Sequence, residues 1–384
     1  MVRTAPSAAD VGLIEYARSH GVEVSARQLE RWRGRPDPLL TPNPRGRPGR
    51  PGGSTSSTDL TVGELVVWLG RRQRQGSRRD HLVLGAFGEG LPVPEASVRS
   101  AFARTVLKPA AEMSTTLGPR AQRQDLDDWL ADGADRIATD QQHHVVRVPR
   151  RMRAIDQALQ QMPALADLWD DMAAHDDDSP GEPLNNAGMA YYGALGVLQG
   201  TEGISREVMG RFLRARTGIT GPNLGARVLE TSGPAMPPAL QGPPAHLVPG
   251  MPQGSVLHHL YSLAQETPME RLRAAWQAAG AVASWALNLC AAVEEQIATG
   301  RVGPAIGQWL KGLLYGIGRD YLTIGLVESE PTPSQQASTT LMLLFTASAF
   351  DTGLERATDQ NVREVLEFLV STPVRPLVTG LADP

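Results

Sequence analysis

Arg27, Gln28 and Arg31 stand close together in one short segment and have the side-chain types that read nucleic-acid bases. A guanidinium donates to O6 and N7 of guanine, and a carboxamide matches N6 and N7 of adenine. The segment Ser25-Ala26-Arg27-Gln28-Leu29-Glu30-Arg31-Trp32-Arg33 opens on a good N-cap residue. Its spacing predicts a helix from Ala26 to Gly34 that buries Leu29 and Trp32 and turns Gln28, Arg31 and Arg33 outward. Arg27, Gln28 and Arg31, near the start of such a helix, are the candidates for base edges or phosphates. A second basic cluster, Arg45-Gly46-Arg47-Pro48-Gly49-Arg50-Pro51-Gly52, begins like the core of an AT-hook, an extended segment that lies in a narrow minor groove. A third runs from Arg71 and Arg72 to Arg79.

Each cluster also has a plain structural reading. Leu29 and Trp32 hold a small helical domain together whatever the arginines do, and a basic Gly/Pro linker is often only solvated. Of the 37 basic residues only Lys108 and Lys311 are lysine. That bias fits a high-GC bacterial genome, which generates Arg/Gly/Pro strings for no functional reason.

The distribution of charge is more telling than its total. The net charge is −4, yet residues 1–108 carry 17 basic against 10 acidic side chains, and the remainder carry 20 against 31. The two parts therefore have opposite affinity for a polyanion. Between Arg27 and Arg79 there are 12 basic and 4 acidic residues.

The elements that must position these side chains follow from capping and periodicity. Ser7-Ala8-Ala9-Asp10 opens a short helix with Leu13, Ile14 and Ala17 on one face, and His20-Gly21 stops it. A turn through Val22-Glu23-Val24 leads to the Ser25 segment, so the pair is a helix-turn-helix candidate. Prolines and glycines exclude a helix from Pro36 to Ser57, which must be a loop or ribbon. Helical spacing returns at Val62, Leu65, Val66 and Leu69, then from Leu82 to Phe87, then from Pro94 to Val106.

In this order of parts, residues 10–105 resemble the DNA-binding domain of the MerR family of transcriptional regulators. The residues that carry the resemblance are His20-Gly21-Val22, then Ser25 to Trp32, then Leu39-Leu40-Thr41-Pro42-Asn43-Pro44-Arg45 leading into a wing. After the wing, Leu65 to Arg72 and Phe87-Gly88-Glu89-Gly90-Leu91-Pro92-Val93-Pro94-Glu95-Ala96-Ser97-Val98 are similar to the family's second helix pair. The resemblance implies a winged helix-turn-helix that binds double-stranded DNA, with the Ser25 helix in the major groove. The chain departs from the pattern in the insertion Arg35-Pro36-Asp37-Pro38, in a longer and more glycine-rich wing, and in having no evident long helix after Val106.

Beyond residue 108 the reading is of a connector over 109–150 and a helical effector or assembly domain over 151–384. Helices are predicted at about 152–174, 185–199, 205–215, 255–266, 268–298, 302–326, 334–350 and 358–371, with few strands. The fold class expected is mainly α, a winged helix-turn-helix domain followed by a larger multi-helix domain. The uncharged stretch from Ala274 to Val293 holds Gln277, Ser284 and Asn288 and reads as a buried helix, with no membrane span.

Chemistry of other kinds finds little support. Cys290 is the single cysteine, so a disulfide framework or cysteine-based zinc cluster is excluded. His143-His144 and His258-His259 are adjacent pairs without a ligand at i+4, and His175-Asp176-Asp177-Asp178 reads as a solvated connector. There is no phosphate-cradling glycine loop, no Gly-x-Ser-x-Gly elbow and no dinucleotide fingerprint, so no cofactor, metal or catalytic residue is expected. Aromatic residues including Tyr191, Trp276, Trp285 and Trp309 read as core before they read as a ligand cavity. The polar N-terminus lacks a secretory leader, which makes the cytoplasm the expected compartment, with association to the nucleoid when bound to DNA.

The reading that results is a DNA-binding transcriptional regulator whose acidic helical domain binds a small-molecule or protein effector or another copy of the chain. Its site residues are Arg27, Gln28, Arg31, Arg33, Arg45, Arg47, Arg50, Arg71 and Arg72. The main alternative is an assembly or defence-type protein whose N-terminal head binds a macromolecule without reading sequence. A third is a helical enzyme with an accessory DNA-binding head.

Overall fold

The computed structural model describes residues 6–43, 60–73, 77–118, 129, 132–133, 256–299, 331–358 and 360–381. Among the described residues the chain is mainly helical and has no strand. The expected wing with Arg45, Arg47 and Arg50 lies outside them, as do the helices expected near 152–174, 185–199, 205–215 and 302–326.

The helices are α1 (Ala8–Ser19), α2 (Ala26–Arg33), α3 (Gly63–Arg72), α4 (Arg79–Gly88), α5 (Glu95–Leu117), α6 (Val256–Glu266), α7 (Met269–Ala298), α8 (Pro333–Arg356) and α9 (Gln360–Leu369). Most follow the spacing of apolar residues closely. The exception is α5, which runs through Pro109 where the sequence suggests a stop near Val106. Proline removes one helical donor, but Ala-Ala-Glu-Met follows it, and these residues favour continuing the helix. No helix among the described residues is long and apolar enough to cross a membrane.

The chain divides into two compact units. The first joins residues 1–105 with 264–277 and 331–341. In it α1 packs on α2 and α3, and α3 packs on α4. Leu13, Leu29, Trp32, Leu65, Leu69 and Phe87 are all shielded from solvent at its centre.

The second unit comprises residues 106–263, 278–330 and 342–384. In it the His259 ring meets Phe345 edge-on, with centroids 6.2 Å apart. The end of the described chain is tied to α8 and α9 through Gly380, whose N–H donates to Asp351 Oδ1 (3.0 Å) and whose carbonyl accepts from Arg363 Nη2 (3.4 Å). Leu354, Leu366, Val374 and Leu377 are buried in this unit.

Candidate nucleic-acid interface

Local chemistry fixes both helices of the N-terminal pair. Ser7 accepts from the Asp10 N–H at the start of α1, and Gly21, at φ +72°, makes the left-handed turn that ends it. Such a backbone angle is easy only for glycine. Val22 and Val24 are then buried in the turn, which sets the angle at which the chain enters α2.

At the start of α2, Ser25 and Gln28 form a complete capping box. The Gln28 N–H donates to Ser25 Oγ (3.3 Å), and Gln28 Oε1 accepts from the Ser25 N–H (2.8 Å) and hydroxyl (2.9 Å). Two otherwise unmatched backbone donors are satisfied this way. Ser25→Ala is expected to lower stability by about 1 kcal/mol, seen as a lower denaturation midpoint for the N-terminal unit.

The polar side chains of α2 sort into two sets. Gln28 is engaged in the cap. Arg33 is turned inward, donating to Asp10 Oδ1 (2.6 Å) and Asn43 Oδ1 (2.8 Å), and Asn43 in turn donates to Asp10 (3.1 Å). The two charged side chains of this pair are only 15% and 11% exposed, which makes it a framework element joining α1 and α2. Arg27, Glu30 and Arg31 form the other set: they are exposed, and none has an ion pair or side-chain hydrogen bond among the described residues.

Burial would raise the Asp10 pKa, but hydrogen bonds from Ser7, Arg33 and Asn43, together with the Arg33 charge, more than offset it and hold the pKa below the ordinary carboxylate value. A carboxylate with a depressed folded pKa stabilises the fold fully above its unfolded value, about 3.9, and loses that contribution as pH falls through the folded pKa. The stability advantage of the native chain over Asp10→Asn should therefore be present at neutral pH and shrink below about pH 4. Urea melts at several pH values measure this directly; a gap independent of pH would mean that the network contributes nothing through charge.

The C-terminal end of α2 and the turn that follows it are held by Arg79, which ends the basic cluster begun by Arg71, and by Arg104 of α5. Arg79 donates to the carbonyls of Gly34 (2.7 Å), Asp37 (2.5 Å) and Trp32 (3.4 Å). Arg104 bridges Asp37 (2.8 Å), Asp80 (2.9 Å) and Ser100 (2.9 Å). Burial lowers the Arg104 pKa, but the two aspartates outweigh it and raise it on balance. Ser97 Oγ donates to the Pro38 carbonyl (2.7 Å). The insertion 35–38 is thus a fastened turn whose backbone acceptors are met by α4 and α5. At its root, Trp32 is 1% exposed and its indole N–H donates to Gln73 Oε1.

Arg71 and Arg72 lie at the C-terminal end of α3. Arg71 is exposed and donates to the His20 carbonyl (3.1 Å). Arg72 stacks on the Trp68 ring at 4.9 Å and pairs with Glu89 at 3.3 Å, with both charged groups largely exposed. Of the predicted residues on described parts of the chain, Arg27 and Arg31 are the ones left outward and uncommitted, whereas Gln28 and Arg33 are used within the fold. No local sequence pattern marks Arg79 and Arg104, whose partners lie far away along the chain.

Trp276 and His259 are placed by the structure as packing residues. No group of His, Cys, Asp and Glu able to hold a metal occurs among the described residues. No known protein family matches the chain, nor does any characterised protein or solved structure.

Proposed function

We propose that the N-terminal unit is the DNA-binding head of a transcriptional regulator, with α2 as its recognition helix. The observation that carries this reading is the division of labour on α2. The helix is capped by Ser25 and Gln28 and fastened by Arg33 and Trp32, while Arg27 and Arg31 are kept outward on one face. A rigid helix with uncommitted guanidinium groups meets the requirement for reading guanine edges or phosphates without first breaking internal bonds. Glu30 shares that face, and a carboxylate there accepts from the cytosine amino group and repels misplaced phosphates.

The order of helices supports the same reading: a tight helical pair, a Pro/Gly-rich connection, a second pair, then a long helix. Arg45, Arg47 and Arg50 in the connection, and Arg71 and Arg72 on α3, serve as phosphate or minor-groove contacts in this proposal. The acidic remainder of the chain binds an effector, a protein partner or a second copy, and the protein acts in the cytoplasm at the nucleoid.

The test is fluorescence anisotropy of the full chain with a labelled duplex across a salt series. The logarithm of the association constant should fall linearly with the logarithm of salt, with a slope near −0.9 per phosphate contacted. Absence of binding at low salt would overturn the reading and move the search to protein partners.

A further inference from the structure

The head is not built from the N-terminal chain alone. Trp276, near the start of α7, is 6% exposed and forms a triangle of edge-on rings with Phe87 of α4 and Phe102 of α5, with centroids 5.6 to 5.9 Å apart. Arg273, one turn earlier, lies over the Phe87 ring at 5.4 Å. Gln336 of α8 donates to the Trp276 carbonyl (3.1 Å), and Arg99 of α5 donates to the carbonyl of Ala264 at 3.3 Å. The seat for the indole exists because residue 88 is glycine: a Cβ there would collide with Trp276 Nε1. Gly85, one turn earlier on α4, similarly faces Trp68, with Pro333 beyond.

This seat is apolar, shaped and incompletely satisfied. Arg273 Nε, whose guanidinium lies over the Phe87 ring, and Trp68 Nε1, whose ring lies against Gly85, are buried without a hydrogen-bond partner. Unmet buried donors weaken a packed arrangement relative to a fully satisfied one.

We propose that residues 264–277 and 331–341 form a releasable strap that completes the DNA-binding head, and that seating of Trp276 beside Gly88 sets the head's DNA affinity. The DNA half of the statement rests on the function proposed above; the strap itself does not. With the strap seated, α4 and α5 hold the turn 35–38, and through it α2, in place by way of Arg79, Arg104 and Ser97. With it released, Phe87 and Phe102 lose their cover and that support loosens. Affinity then falls in proportion to the fraction of molecules with the strap seated. α7 and α8 continue from the strap into residues of the second unit.

Two variants of the full chain attack the seat from opposite sides. Trp276→Ala removes the strap's anchor, and Gly88→Ala fills the seat while improving the helix propensity of α4. Each should speed hydrogen exchange in α4 and the first turns of α5 by about tenfold or more. Each should also weaken duplex binding by about tenfold. In the double variant Gly88→Ala should add nothing to Trp276→Ala, because its alanine no longer meets an indole. Unchanged exchange in α4 and α5, or a Gly88→Ala effect that persists undiminished without Trp276, overturns the strap. Faster exchange with unaltered duplex affinity overturns its control of DNA binding. Should the native chain bind no duplex at all, the DNA reading fails alone, and the exchange pattern still decides the strap.

Discussion

Trp32→Ala is expected to destabilise the N-terminal unit by about 3–5 kcal/mol, the usual range for removing a fully buried large aromatic side chain. Trp32 is 1% exposed, ends the buried face of α2 and satisfies Gln73 through its indole N–H. Its carbonyl also gathers the N–H groups of Leu39 (2.6 Å) and Leu40 (3.3 Å) and a contact from Arg79. Loss of the side chain opens a cavity at the end of α2, beside Gln73. The effect should appear in hydrogen exchange of α2 and α3, with unprotected amides throughout both helices at neutral pH. Trp32→Phe keeps most of the volume and should recover most of the loss. If Trp32→Ala left exchange in α2 unchanged, the helix would not be anchored as described.

Arg27→Ala combined with Arg31→Ala is expected to lower affinity for a preferred duplex by about 2–6 kcal/mol, taking about 1–3 kcal/mol for each arginine that contacts a base. Both side chains are exposed and make no ion pair among the described residues, so the fold should not register their loss. That separates them from Arg33, whose replacement would strand Asp10 and Asn43 and unsettle the joint between α1 and α2. A double variant with an unchanged melting profile and undiminished duplex affinity would remove α2 from the interface.

Local signals made much of the head readable from sequence. The caps at Ser7 and Ser25 and the stop at Gly21 each depend on residues three or four apart, so the pattern contains the whole cause. Arg33, Arg79 and Arg104 were not distinguishable from solvated arginines, because what fixes each is a carboxylate or carbonyl that only folding brings near. Gln28 looks like a base-reading side chain and serves in the cap, since the capping-box spacing and the recognition-helix spacing coincide. The packing of Trp276 against Phe87 and Phe102 joins distant parts of the chain, and hydrophobic periodicity reports only that each is buried.

The most direct test is selection from a pool of random duplexes by the 384-residue chain, beside the Arg27/Arg31 double-alanine variant. One short motif should be enriched by the native chain and lost by the variant. Weak, equal binding by both proteins, with no motif and no affinity left at moderate salt, would contradict this expectation.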